Sequence, residues 1–412
     1  MSMEADVISN RRIEPERNDR KKCKLSTYEE KTESSKDESN LLSYDALGII
    51  FSYLPAIDLC HCSQVCKLWR DVATFELSIR KVIIRSGTYE DLIKKHDVNR
   101  IFESSIRNKP MLNLVFISKD GVLANLGEDN RAFFGYKKYF PKNCFSVGIN
   151  VPGLVIENEE YEENKCLSSY FLLPDDPSVH INMINAYLTV SYIFKREKNE
   201  YIGSAEYEHE IKSDLSEIFE KGIGGLENPE CVILLCIDES YMVRKLNKMN
   251  LRGIKSVWGG VVKEIDVIYQ HEEVGDDLTW LALIISGKYV KSWSTFLDKN
   301  DVNEKDIRSK LLKLKDNLQL YKHTIGLMFS CNGRGAHWYN NRKNVESSIF
   351  KSIFPEIPLI GCFGNGEFGN CNVNANPEYN MKRDKIYRQY STSFMILTYG
   401  KIDENLEIDD NN

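Results

Sequence analysis

Cys231-Val232-Ile233-Leu234-Leu235-Cys236-Ile237 is an apolar run without a polar interruption. A strand with one wet face alternates apolar and polar side chains. A continuous run of this length, rich in β-branched residues, predicts a strand buried on both faces. Outward from it, strand-like runs recur at 111–118, 144–149, 169–173, 186–194, 254–262, 278–285, 324–331, 358–363 and 391–399. Helix-like runs fall at 130–139, 206–221, 240–250, 302–317 and 341–354, with a weakly amphipathic connector at 91–108. The texture predicts an α/β (α+β) region of mixed sheets covered by helices. No repeat of fixed short period is visible.

The amino end reads differently. Residues 1–40 hold nine Lys or Arg and ten Asp or Glu but only nine apolar side chains, the composition of a disordered tail. Its basic cluster (Arg17, Arg20, Lys21, Lys22, Lys24) is interrupted by acidic residues, so a solvated tail is expected over an import signal. From Leu41 the pattern changes. Leu47, Ile50, Phe51 and Leu54 share one helix face, and Pro55 ends it. Cys62, Val65, Cys66, Trp69, Val72 and Ala73 continue the spacing on a second helix, which Asp58 can cap. The short link makes a helical hairpin, too small to bury all of Phe51, Leu54, Leu59 and Trp69 by itself. The expected divisions are a tail to residue 40, helices over 41–86, a connector over 87–110, α/β regions over 111–230 and 231–402, and an acidic tail over 403–412.

Composition excludes several classes. A formal charge of −7 argues against a duplex-binding surface, so no nucleic-acid partner is expected. No apolar run reaches membrane length, and Met1 to Lys24 is polar and charged without an apolar h-region, so no secretory signal is expected. Eleven scattered cysteines then read as reduced thiols of cytoplasm or nucleus.

The segment Leu42-Ser43-Tyr44-Asp45-Ala46-Leu47, Ile50-Phe51-Ser52-Tyr53-Leu54-Pro55, Asp58-Leu59 and Val65-Cys66-Lys67-Leu68-Trp69-Arg70 resembles an F-box. It departs from that family at Ser43, where a Pro is usual, and in lacking a second Trp near Leu77. The stretch Thr324-Ile325-Gly326-Leu327-Met328-Phe329-Ser330-Cys331-Asn332-Gly333-Arg334-Gly335, and later Gly361-Cys362-Phe363-Gly364-Asn365-Gly366-Glu367-Phe368-Gly369, looks like the C-terminal half of a FIST domain. The resemblance implies a non-catalytic substrate receptor of a cullin–RING ubiquitin ligase. A Skp-type adaptor would bind Leu47, Ile50, Phe51, Leu54, Pro55, Leu59, Val65 and Trp69, and through it the cullin and RING subunits. The large region would hold an unidentified protein or, as the rival reading, a small ligand. Cys331, Arg334, Gly364, Gly366 and Glu367 are its candidate binding residues.

Each candidate has a plainer reading. Gly364-Asn365-Gly366-Glu367-Phe368-Gly369 matches G-x-G-x-x-G, but no helix follows to face a pyrophosphate, so a strand-to-strand turn is expected. Arg334 near Cys331 would favour a thiolate, and His337 completes an imaginable Cys–His pair, but without a third orienting group a partly exposed structural Cys is expected, with a pocket thiol involved in binding as the second choice. Cys60, His61, Cys62 and Cys66 lack zinc-finger spacing, and 271–277 reads as an acidic hairpin loop. No metal, no cofactor and no catalytic residue is expected.

Overall fold

The computed structural model describes residues 42–88, 106–118, 141–162, 167–187, 191–195, 200–203, 219, 223–224, 226, 228–237, 251, 253–270, 272–273, 278–373 and 386–401. Both tails, the basic cluster and the helix-like runs at 91–105, 130–139, 206–218 and 240–250 lie outside them.

The amino-terminal segment is three helices rather than two: α1 (Tyr44–Phe51), α2 (Ala56–Cys62) and α3 (Lys67–Ile79). The run from Cys62 to Ala73 breaks because side chains compete for the last carbonyls of α2. Ser63 Oγ and Gln64 Nε2 both donate to Cys60 O. Cys66 is then fully extended at φ −158° and starts α3. The apolar spacing runs through the break because α2 and α3 face one core. Asp58 caps nothing. It lies in the first turn of α2, where its charge suits the helix dipole, and Pro55 holds the capping position.

Three mixed sheets follow. Sheet I has the order β1 (Ile83–Thr88), β6 (Leu167–Pro174), β2 (Pro110–Ser118), β3 (Phe145–Val151), β12 (Glu264–Tyr269), β13 (Glu272–Glu273). Sheet II has the order β19 (Tyr387–Arg388), β18 (Glu367–Gly369), β11 (Ser256–Val261), β10 (Pro229–Cys236), β14 (Leu278–Ser286), β7 (His180–Tyr187), β8 (Ser191–Lys195), β9 (Glu200–Gly203). Sheet III has the order β15 (Val290–Leu297), β20 (Thr392–Tyr399), β16 (His323–Cys331), β17 (Leu359–Gly364), β4 (Gly153–Ile156), β5 (Glu159–Tyr161). The strand expected at 186–194 is the β7–β8 hairpin, with Ala186 opposite Ser191.

The sheets repeat one plan. Each centres on a parallel pair (β2 with β3, β10 with β11, β16 with β17) flanked on both sides by antiparallel strands. In each, the chain leaves the second parallel strand and makes a hairpin in a different sheet. β4–β5 joins sheet III, β12–β13 joins sheet I and β18–β19 joins sheet II. Strands of 111–230 and of 231–402 therefore mix in all three sheets, and residue 230 separates no layers. Register is kept as well: Val115 lies opposite Gly148, Leu234 opposite Gly259, and Met328 opposite Gly361. A Cβ at Gly259 or Gly361 would strike the carbonyl of its partner.

The inner faces of the three sheets meet in one core. Cys231, Ile233 and Leu235 point into it beside Leu114, Phe116, Leu327 and Phe329. Val232, Leu234 and Cys236 face a second cluster. The run at 231–237 is thus buried on both faces as expected, but its inner cover is other sheets. Helices cover the outer face of sheet III: α4 (Glu304–Asp316), capped by Asn303, and α5 (Val345–Ile353).

Two buried titratable groups act against each other. Burial lowers His323 to about 4, and its Nδ1 has no partner. Burial, reinforced by Glu346, raises Glu160 to about 7. The fold favours neutral His323, so stability is lost as pH falls from about 6.5 toward 4. It also favours protonated Glu160, so stability is lost as pH rises from about 4.5 toward 7. Each effect is worth about 3 kcal/mol at most. Relative to wild type, denaturant titrations between pH 4.5 and 7 should show stability falling more steeply with rising pH in His323→Phe and less steeply in Glu160→Gln. Parallel profiles for wild type and both variants would contradict this.

Candidate functional site

The adaptor-facing residues expected from sequence separate into two sets. Leu47, Phe51 and Leu59 are buried among α1, α2 and α3 with Val72 and Ala73. Their side chains are spent on the helical core, so they support a docking face rather than form it. Leu54 and Trp69 are partly buried against the same cluster, and Pro55 is partly buried. The Trp69 indole meets the Phe51 ring edge-on at 5.4 Å. Ile50 and Val65 are exposed, together with Ile49, Tyr53 (75% exposed) and Ile57. These last three escape the sequence reading because they lie off the i, i+3, i+4 stripe. The signal was Ile49-Ile50-Phe51: three consecutive apolar residues exceed what one buried helix face can take.

The glycine-rich stretch builds a corner between sheets II and III. β16 ends at Cys331, paired with Gly364. A 3₁₀ turn (Asn332–Arg334) follows and then a second (Ala336–Tyr339). Arg334 turns inward and is fully buried. Its Nε donates to Glu346 Oε1 at 2.9 Å, Nη1 to Asp298 O at 3.0 Å, and Nη2 to Asp301 O at 3.0 Å and to the Tyr339 hydroxyl at 2.8 Å. Burial opposes its charge, but Glu346 and Tyr339 outweigh burial and raise its pKa. Arg334 therefore pins the turn to α5 and is not presented to a ligand. Removing one member of such a pair leaves an uncompensated charge, on the order of 3–5 kcal/mol.

The surroundings of Cys331 oppose a thiolate. Burial raises the Cys331 pKa, and the Glu367 carboxylate raises it further. His337 is exposed, and no hydrogen bond joins it to Cys331 among the described residues. Glu367 is itself buried on β18. Its Oε2 accepts from Ser391 N at 3.1 Å and from Ser391 Oγ at 2.7 Å, and burial raises its pKa. Gly366 has φ +148°, and a side chain there would strike the Tyr387 ring. Its carbonyl accepts from Val261 N at 2.8 Å, so the turn is stitched to sheet II. At the surface Tyr390, with φ +53°, is exposed and stacks on Trp338 at 6.1 Å. Asn332 Nδ2 donates to Asn365 Oδ1 nearby.

The repeated plan supplies an internal comparison. Register places Cys331, Glu367 and Ser391 where another repeat has Ile237, Ile265 and Thr279, and the remaining one Ser118, Leu154 and Leu167. The Cys331 N–Ser391 O bond has its counterpart in Ile237 N–Thr279 O, both 3.0 Å. The fold accepts aliphatic side chains at these positions. A buried acid beside a thiol at one corner of three is therefore not a requirement of the architecture, and a strained surface tyrosine lies beside it. Such features gather at functional sites.

Known families agree with both elements. Residues 45–82 match the F-box-like family, and residues 294–370 match the FIST C domain. The chain carries an F-box-like segment and a FIST C domain. Over 391 residues it is 25% identical to F-box only protein 22 of Homo sapiens and 24% identical to that of Pongo abelii. Each alignment covers 85% of this chain and 91% of the relative. It resembles these proteins as a diverged relative. Among solved structures, a cyanuric acid hydrolase from A. caulinodans aligns over 77% of this chain and 99% of that chain, at 8% identity and a TM-score of 0.36. That likeness is too loose to bear on function. Among the described residues no helix is long and apolar enough to cross a membrane, and no cluster of side chains is arranged to hold a metal ion.

Glu367→Gln removes the carboxylate that opposes thiolate formation. Alkylation of Cys331 by iodoacetamide at pH 8, followed by peptide mass spectrometry, should be faster in the variant, with exposed Cys66 as the internal standard. An equal or slower rate would show that the acid does not act on the thiol.

Proposed function

We propose that this chain is the substrate-recognition subunit of an SCF-type (Skp–cullin–F-box) cullin–RING ubiquitin ligase. The observation that carries the reading is the division of apolar residues on the first helices. Leu47, Phe51 and Leu59 close a core, while Ile49, Ile50, Tyr53, Ile57 and Val65 remain outside it. An apolar helical surface of this kind suits a groove between helices of another protein. The Skp-type adaptor is the partner that an F-box-like segment implies, and through it the cullin and RING subunits.

The large region would hold the protein to be ubiquitinated for proteasomal degradation. The corner around Cys331, Asn365 and Tyr390 is its best-supported contact surface. The chemistry would belong to the partner enzymes, and this chain would contribute proximity: a bound protein's lysine is kept at high effective concentration near the charged conjugating enzyme. Such work fits the cytoplasm or the nucleus. The corner also favours a second reading, a small-ligand sensor. A saturable thermal shift of the full chain with a free metabolite, absent in Glu367→Leu, would support it over protein recruitment.

Ile50→Glu with Val65→Glu should abolish co-purification of the Skp-type adaptor while leaving the melting temperature within a few degrees of wild type, as surface changes do. Leu47→Ala, by contrast, should destabilise the helices by about 2–5 kcal/mol. Full adaptor binding by the folded double variant would reject the assigned face.

A further inference from the structure

We infer that Arg80 and Arg107 are positioning residues that hold the adaptor-facing turn at a fixed attitude to the sheets. The inference rests on the receptor reading above. The turn between α1 and α2 ends in four successive carbonyls, those of Phe51, Ser52, Tyr53 and Leu54. Such groups at a helix C-terminus need donors from outside the helix. Two arginines donate to all four, and Phe51 O accepts from Leu54 N at 3.1 Å as well. Arg80 Nη2 donates to Phe51 O at 3.1 Å and to Leu54 O at 2.7 Å. Arg107 Nη1 donates to Tyr53 O at 3.1 Å, and its Nη2 to Ser52 O. The two are joined, because Arg80 Nη1 donates to Arg107 O.

The chain runs from this grip straight into the sheets. Asn108, the next residue, is fully buried, and its Nδ2 donates to Leu172 O on β6 and to Lys81 O, both at 3.1 Å. Two residues later β2 begins. Ala56 N, at the start of α2, donates to Ile106 O at 2.9 Å. Ala56, Ile83, Ile106, Tyr170 and Leu172 form a small apolar joint below the turn. Tyr53, Leu54 and Pro55 are thus held at both ends by residues that continue into sheet I. A guanidinium suits this task because its rigid planar fork aims separate N–H donors at carbonyls several ångströms apart, whereas an ammonium is a compact point charge on a flexible stem.

The positioning role is separable from a structural one. Arg80 also pairs with buried Glu76 at 3.3 Å, so Arg80→Met alone would strand a charge. The paired change Glu76→Leu with Arg80→Met removes the ion pair together with the carbonyl contacts, and Arg107→Met acts at a half-buried site. Wild-type full-length chain should melt in one transition. Each variant should show an earlier transition for the helices, at least ~5 °C below the main one. At 15 °C each should still bind the Skp-type adaptor within ~3-fold of wild type. With the adaptor, cullin, RING subunit and a ubiquitin-charged conjugating enzyme, self-modification should be confined to a few lysines in wild type and spread to others in both variants.

A single unchanged transition, or an unchanged lysine pattern at retained adaptor affinity, would overturn the inference. Failure of wild type to bind the adaptor would reject the receptor reading instead, and the melting comparison would still decide whether the arginines tie the helices to the sheets.

Discussion

Three sheets closing on one core, each completed by a hairpin from another repeat, is the constraint on which the rest depends. No repeat can finish its own sheet. β4–β5, β12–β13 and β18–β19 all cross to another sheet, and Leu154 of β4 with Ile265, Val267 and Tyr269 of β12 help fill the shared interior. The glycines opposite Leu234 and Met328 are needed because neighbouring backbones approach too closely for a side chain. The exchange also assembles the candidate site. Glu367 travels with β18 into sheet II, while Cys331 and Ser391 belong to β16 and to the approach to β20 in sheet III. The acid meets the thiol only because one sheet borrows its edge from another.

The helical segment is built on a different principle, but it is not loosely attached. Its core takes Leu47, Phe51 and Leu59, which the sequence alone assigns to a partner, and its outer face keeps Ile50 and Val65 with the intervening Ile49, Tyr53 and Ile57. A hydrophobic residue in such a small bundle cannot serve fully in both places. Phe51 at 1% exposure and Ile50 at 45%, adjacent in the chain, divide that work between them. The receptor role proposed above would require two binding surfaces held in a defined relation, and the carbonyl-gripping arginines join the helices to sheet I.

Much of the fold was legible from local pattern. The continuous apolar run at 231–237 is doubly buried, and the 302–317 and 341–354 helices form at 304–316 and 345–353. What stayed hidden was long-range. β4, β12 and β18 are three to six residues long and pair with strands more than a hundred residues away, so no local periodicity marks them. The threefold plan leaves little trace beyond the glycines at 148, 259 and 361, because other equivalent positions differ in character, as Ile265 and Glu367 do. At the corner, Cys331 and Glu367 do come together as their glycine-rich setting suggested. Arg334 does not join them, because its partners Glu346 and Tyr339 lie on segments whose contact with it only the folded chain reveals. Glu346 and Ser391 carried no sequence signal at all.

Hydrogen–deuterium exchange of the full-length chain, with and without the purified Skp-type adaptor, tests the division of the helices most directly. The account predicts new protection confined to amides around residues 49–57 and 63–66, with sheets I to III unchanged. Protection appearing on the sheets, with the helices exchanging as before, would contradict it.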